Sequence, residues 1–138
     1  QSENQDTHHP CTNTKSRSTP KTRYCPTDRT VYLDLSFWQQ LEQLGGSGAE
    51  FARAYVIAHE VGHHVQDVLG ILGKVQARQQ QASSKREANA LSVRVELMAD
   101  CLAGVWAKNS NDKYNALEQG DIEEAMQAAS AATCIDLP

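Results

Sequence analysis

The sequence predicts a mainly α-helical domain with one short β-strand element ahead of a histidine-rich helix. Three observations carry this reading. Helix-start signatures, a Ser or Asp followed three residues later by Gln or Glu, recur at Ser36/Gln39, Ser47/Glu50 and Asp121/Glu124. Apolar residues at helical spacing follow each signature, and Gly45-Gly46, Gly70 and Gly73 interrupt them. One stretch, 30–35, is instead rich in β-branched and aromatic residues after Pro26 and Asp28, which reads as a short strand at a sheet edge.

The elements follow in order. Residues 1–24 are polar, rich in Ser, Thr, Asn and Lys, and form an N-terminal arm; His8 and His9 on it read as a surface pair. Residues 25–138 form the folded domain. Ser36 opens a first helix over 37–44. Ser47 starts a second, from about 49 to 69. The polar, Gln-rich stretch 74–88 is an exposed helix. A long helix spans about 87–108, and Asp121 begins a last one that continues to Ala132.

Composition narrows the function classes. With 138 residues the chain is long enough for one modest core. A net charge of −4 supplies no basic face, which argues against nucleic acid as a partner. No apolar run approaches the roughly 18 residues of a membrane helix. The chain starts without Met or a signal-like segment and reads as a trimmed piece of a longer precursor. No feature specifies an oligomeric state.

Four cysteines allow three pairings. The most economical is Cys11–Cys25, closing a Thr/Pro-rich loop, with Cys101–Cys134 tying the long helix to the C-terminus. An even count in a small domain fits an oxidising compartment, so a secreted, periplasmic or otherwise extracytoplasmic location is expected.

The chemistry is concentrated in AHEVGHHVQ, 58–66, which holds three of the five histidines. On a helix, His59 and His63 lie about 40° apart and about 6 Å along the axis, so both imidazoles reach one Zn²⁺. Glu60, about 100° from His59, flanks the metal and is placed to act as a general base towards a zinc-activated water. Ala58 and Gly62 leave room for close packing beneath it. By composition alone HExxH arises in about one shuffled sequence in a hundred, so a third ligand has to be found. Glu96 and Asp100 share a face of the long helix, again four residues apart. Glu96 is the expected third ligand, and Asp100 the acceptor for the far nitrogen of a ligating histidine. Their neighbours Val93, Val95, Leu97, Met98 and Leu102 are apolar, and acids in such company need partners. His64 points about 140° from His59 and reads as a neighbour of the site; Gln66 and Asp67 are given ordinary helix-surface roles.

Several blocks resemble a known family. They are TyrCysPro at 24–26, VYLDLSFW at 31–38, AYVIAHEVGHHVQDVLGILGKV at 54–75, ANALSVRVELMADCLAGVWA at 88–107 and GDIEEAMQAAS at 120–130. In this order they are similar to the bacterial neutral zinc metallopeptidases, many of which carry a membrane anchor ahead of an extracytoplasmic catalytic domain. The resemblance implies a zincin-like helical catalytic domain with zinc on His59, His63 and Glu96 and with Glu60 catalytic. The Glu-x-x-x-Asp spacing also looks like that of thermolysin-type gluzincins, which adds Asp100 as support for a histidine. No histidine follows His64, so an oxyanion stabiliser has to come from Tyr114, Tyr55, Arg94 or His64.

The expected function is that of a zinc-dependent endopeptidase acting on a peptide or protein substrate. The alternative is a zinc-binding, non-catalytic interaction module of the cell envelope. Glu60 weighs against the alternative, since a structural zinc site needs no base there.

Overall fold

The computed structural model describes residue 11, residues 22–45 and residues 49–131. Two short strands, β1 (Arg23–Cys25) and β2 (Thr30–Tyr32), pair antiparallel with Tyr24 opposite Val31. Five helices follow: α1 (Leu35–Gly45), α2 (Ala49–Val68), α3 (Ile71–Gln80), α4 (Lys85–Tyr114) and α5 (Asp121–Ala131). The predicted mainly helical class with a small β element is the observed one.

The strand expected over 30–35 is shorter, because Asp34 turns the chain into α1. Its carboxylate accepts from the Ser36 backbone N–H at 2.9 Å and from the Ser36 hydroxyl at 2.5 Å. Its carbonyl accepts from Phe37 N–H. Asp34 is therefore the cap and Ser36 lies inside the helix, which starts two residues earlier than expected. The Ser36 hydroxyl, followed by backbone N–H groups of Ser36 and Phe37, holds the Asp34 carboxyl below its usual range.

β1 falls at the end of the expected arm; residues 1–10 and 12–21 of that arm, with His8 and His9, lie outside the described residues. The Cys11–Cys25 disulfide is formed as expected. In the hairpin loop Arg29 takes the left-handed conformation, φ 54°, uncommon for a residue with a side chain. Asp28 secures that loop, accepting from Thr30 N–H and from the Tyr32 hydroxyl.

Gly70, at φ 75°, ends α2 and lets α3 begin at once. The expected exposed helix over 74–88 is α3, which starts earlier and stops at Gln80. Its Gln79 amide donates to the Ala88 carbonyl and to the Ser92 hydroxyl, docking it on α4. α4 begins at Lys85 because Ser84 caps it, accepting from Glu87 N–H, while Glu87 accepts back from Ser83. It ends at Asn115, whose left-handed φ of 50° suits a short polar side chain.

α2 is the central element, packed mainly against α4 and also against α1, α3, α5 and β1. Ala52 and Val56 of α2 close a small core with Phe37 and Leu41 of α1, flanked by Trp38. On the other side, Val95, Ala99 and Ala103 of α4 are buried. The two long helices approach closely at Gly62, where an added Cβ would lie 3.1 Å from the Ala99 carbonyl oxygen and 3.3 Å from its Cα. The close packing expected at Gly62 is thus a helix–helix contact.

Two glycine replacements should therefore move stability in opposite directions. Gly104 is also helical, yet a Cβ there meets nothing within 4 Å. Gly104→Ala should stabilise the domain by about 0.5–1 kcal/mol through helix propensity. Gly62→Ala gains the same propensity but must push α4 aside, at about 1–3 kcal/mol, and should be destabilised. Thermal unfolding of the two variants beside wild type checks the pair; a Gly62→Ala protein as stable as Gly104→Ala would contradict the contact.

Candidate metal centre

Across the α2–α4 seam, ligand atoms of His59, His63 and Glu96 all lie within 4.8 Å of one another. The Nε2 atoms of His59 and His63 are 3.0 Å apart. Glu96 Oε2 is 3.0 Å from the first and 3.4 Å from the second. Both imidazoles are buried, and their rings meet edge to face with centroids 4.7 Å apart. The helical spacing of the histidines and the closeness of α4 at Gly62 produce this arrangement together.

The far nitrogen of each imidazole rests on an oxygen. His59 Nδ1 is 2.8 Å from Asp100 Oδ1, and His63 Nδ1 is 2.8 Å from Gln66 Oε1. With both Nδ1 atoms donating, the neutral imidazoles turn both Nε2 lone pairs towards each other and towards a carboxylate. Three electron-rich atoms so close repel unless a cation lies among them. Two nitrogens and one carboxylate oxygen also form a donor set that suits Zn²⁺ and leaves a fourth position for water or substrate. Glu96 Oε1 is buried without a hydrogen-bond partner, a second sign that the cluster is built around a further group.

In the metal-free protein burial alone would raise the Glu96 carboxyl, but hydrogen bonds donated by the protonated His59 and then His63 imidazoles outweigh it and hold its pKa at about 2. The group is thus ionised well below its ordinary 4.5. Stability that it contributes is complete above about pH 4.5 and is lost as pH falls towards 2.

Glu60 is fully buried on α2, in the turn that joins the two histidines. Asp100 carries a second hydrogen bond: the Tyr55 hydroxyl donates to the same oxygen, at 3.0 Å. Tyr55, one of the four candidate oxyanion stabilisers, is thereby brought to the site as a partner of Asp100. His64 is turned away into another cluster. The Tyr24 hydroxyl donates to Asp67 at 2.7 Å and accepts from His64 Nδ1 at 2.9 Å, with Arg29 Nε 3.6 Å from Asp67. Burial, and then the hydrogen bond to Asp67, push the Tyr24 phenol upwards. These contacts pin β1 onto α2 beside the histidines.

The other two candidates are not brought to the cluster. Tyr114 is exposed at the far end of α4, eighteen residues from Glu96, or about 27 Å of helix axis. Arg94 is exposed two residues before Glu96, about 160° around the helix from it. Among the described residues Cys101 is a free, exposed thiol; Cys134, its expected partner, lies outside them. Cys101 is one residue past Asp100, which turns it about 100° away from the metal-facing side of α4.

One residue was given too small a role. Gln66 is fully buried, and besides meeting His63 its amide nitrogen donates to the Val95 carbonyl at 2.9 Å. Its signal was the three-residue spacing from His63, which places both on one helix face.

Comparison with known proteins agrees with the geometry. Residues 3–136 match the family described as "Putative neutral zinc metallopeptidase". The chain is 56% identical over 108 residues to "Uncharacterized protein YpfJ" of Escherichia coli, covering 78% of the chain and 37% of that protein. It is 45% identical over 118 residues to "Uncharacterized protein Rv2575" of Mycobacterium tuberculosis, covering 78% of the chain and 38% of that protein. The chain thus spans little more than a third of the length of these curated relatives. No solved structure matches it at a significant level. Matched over nearly its whole length, the chain belongs to the family described as "Putative neutral zinc metallopeptidase".

Proposed function

We propose that the chain is the catalytic domain of a zinc-dependent endopeptidase, with zinc held by His59, His63 and Glu96. The observation that carries this reading is the convergence of three lone-pair donors whose far nitrogens are already oriented by Asp100 and Gln66. Zinc bound there would supply Lewis acidity towards a peptide carbonyl and acidify a water molecule. Glu60 takes the proton from the attacking water and delivers it to the leaving amine. Asp100, steadied by Tyr55, keeps His59 in the tautomer that presents Nε2. An apolar cavity of about 660 Å³ begins at Asp100 and Tyr55 and is lined further on by Phe51, Leu117, Ile122 and Met126. It has room for a bulky apolar side chain of a peptide substrate.

The proposed location is extracytoplasmic, which the Cys11–Cys25 disulfide supports. No helix among the described residues is long and apolar enough to cross a membrane.

Casein cleavage tests the activity. Cleavage should stop with chelator and return on adding zinc. Protein with one zinc per chain that cuts neither casein nor a panel of unfolded proteins would contradict the peptidase reading.

The pH dependence of zinc binding follows from the ligand set. Glu96 stays ionised to about pH 2, so it does not set the acid limit. Zinc takes the imidazoles in their neutral form, so protons compete with the metal for them. Zinc affinity should accordingly fall as pH drops from about 7 to 5, with protons taken up as metal leaves. Chelator competition across that range checks it; affinity that is flat down to pH 4 would exclude two histidine ligands.

A further inference from the structure

We propose that Gln66 is a positioning residue for the metal centre: it fixes the tautomer of His63 and ties that histidine to the helix segment that carries Glu96. The inference rests on the metal reading of the cluster and adds a residue to it.

The chain of reasoning begins at Val95. Its backbone carbonyl can only accept, so the Gln66 atom 2.9 Å from it is the amide nitrogen. The orientation of the amide is thereby fixed, and its oxygen is the atom 2.8 Å from His63 Nδ1. An amide oxygen also only accepts, so His63 carries its proton on Nδ1. In the neutral imidazole, the form that binds a metal, Nε2 is left with its lone pair, directed at His59 Nε2 and Glu96 Oε2. A backbone group on α4 thus dictates the tautomer of a side chain on α2.

The same amide holds position as well as proton. Val95 immediately precedes Glu96, so the bond from Gln66 sets α4 at the height where the carboxylate meets both imidazoles. The Gln66 side chain is fully buried, and water cannot replace either bond. A neutral amide suits this place because it accepts on one side and donates on the other. A carboxylate would satisfy His63 and leave Val95 facing a second acceptor. A leucine fills similar volume and satisfies neither.

The test compares wild type, Gln66→Leu and Gln66→Glu as the full chain, with zinc affinity from chelator competition and histidine tautomers from long-range proton–nitrogen NMR of metal-free protein. In wild type His63 should carry its proton on Nδ1. Gln66→Leu should lose that preference and bind zinc about 10–100-fold more weakly, the usual cost of removing such a partner. Gln66→Glu should keep the Nδ1 proton but lose the bond to Val95, so its zinc affinity should fall between those of wild type and Gln66→Leu. A residue that merely filled the core would lower the melting temperature without changing the tautomer. Zinc affinity within twofold of wild type in Gln66→Leu would overturn the proposal. So would a wild-type His63 with its proton on Nε2, a result that needs no variant to fold. Failure of wild type to bind zinc at all would sink the metal reading, while the tautomer measurement would still decide the role of Gln66.

Discussion

Glu60→Gln should retain one zinc per chain and lose peptide cleavage by about 10²–10⁴-fold, the range attached to a general base. Glutamine keeps the volume and shape of the fully buried Glu60 side chain, so the packing of α2 is preserved. What it loses is the ability to take a proton. The measurement is paired: elemental zinc content and the cleavage rate on the same preparation. Cleavage within tenfold of wild type would remove Glu60 from the chemistry. Loss of zinc with loss of cleavage would make Glu60 part of the metal's support instead of the base. Retained zinc with lost cleavage would also set aside the non-catalytic interaction module, because that alternative gives Glu60 nothing to do.

Glu96→Ala should have the second large effect, a fall in zinc affinity of about 10²–10⁴-fold. The estimate assigns the carboxylate a share of roughly 3–5 kcal/mol of the binding free energy of structural zinc sites. Two imidazoles would remain, Nε2 to Nε2 at 3.0 Å, with no anion to complete the set. The same change should leave the fold standing. Glu96 is a quarter exposed on its side chain, and the α2–α4 contact is made by Gly62 and Ala99. Circular dichroism with chelator competition separates the two effects. Unchanged affinity would mean that the third ligand lies elsewhere.

What was legible in the sequence is what depends on local geometry. His59 and His63, and likewise Glu96 and Asp100, share helix faces through their four-residue spacing, and a helix imposes that relation wherever it sits. Gly62 was legible for the same reason, since only a residue without a side chain permits so close a crossing in the middle of the motif. The helix starts read from paired caps fell close to the observed ones although the caps differ: Asp34 caps α1, Asp121 lies inside α5, and Ser47 lies outside the described residues. Ser84 with Glu87 fitted that pattern too, and its omission placed the start of α4 two residues late.

What was not legible depends on partners distant in sequence. β1 has three residues and is stabilised by pairing with β2 and by Tyr24 reaching Asp67, forty-three positions away. No periodicity marks so short a strand. Gln66 looked like a surface residue because its type is polar; its burial is compensated by Val95, twenty-nine positions on. Tyr55 and His64 were candidates for the reaction, yet their partners Asp100 and Tyr24 come from other elements. Spacing also carries no sign that Cys101 stands exposed on α4, since the exposure of a helical residue depends on what packs against that face.

The most direct test of the central claim is a crystal of the zinc-loaded chain with anomalous differences collected at the zinc edge. One peak should lie about 2.0–2.2 Å from His59 Nε2, His63 Nε2 and a Glu96 carboxylate oxygen. No peak there, or a peak held by other side chains, would contradict the account.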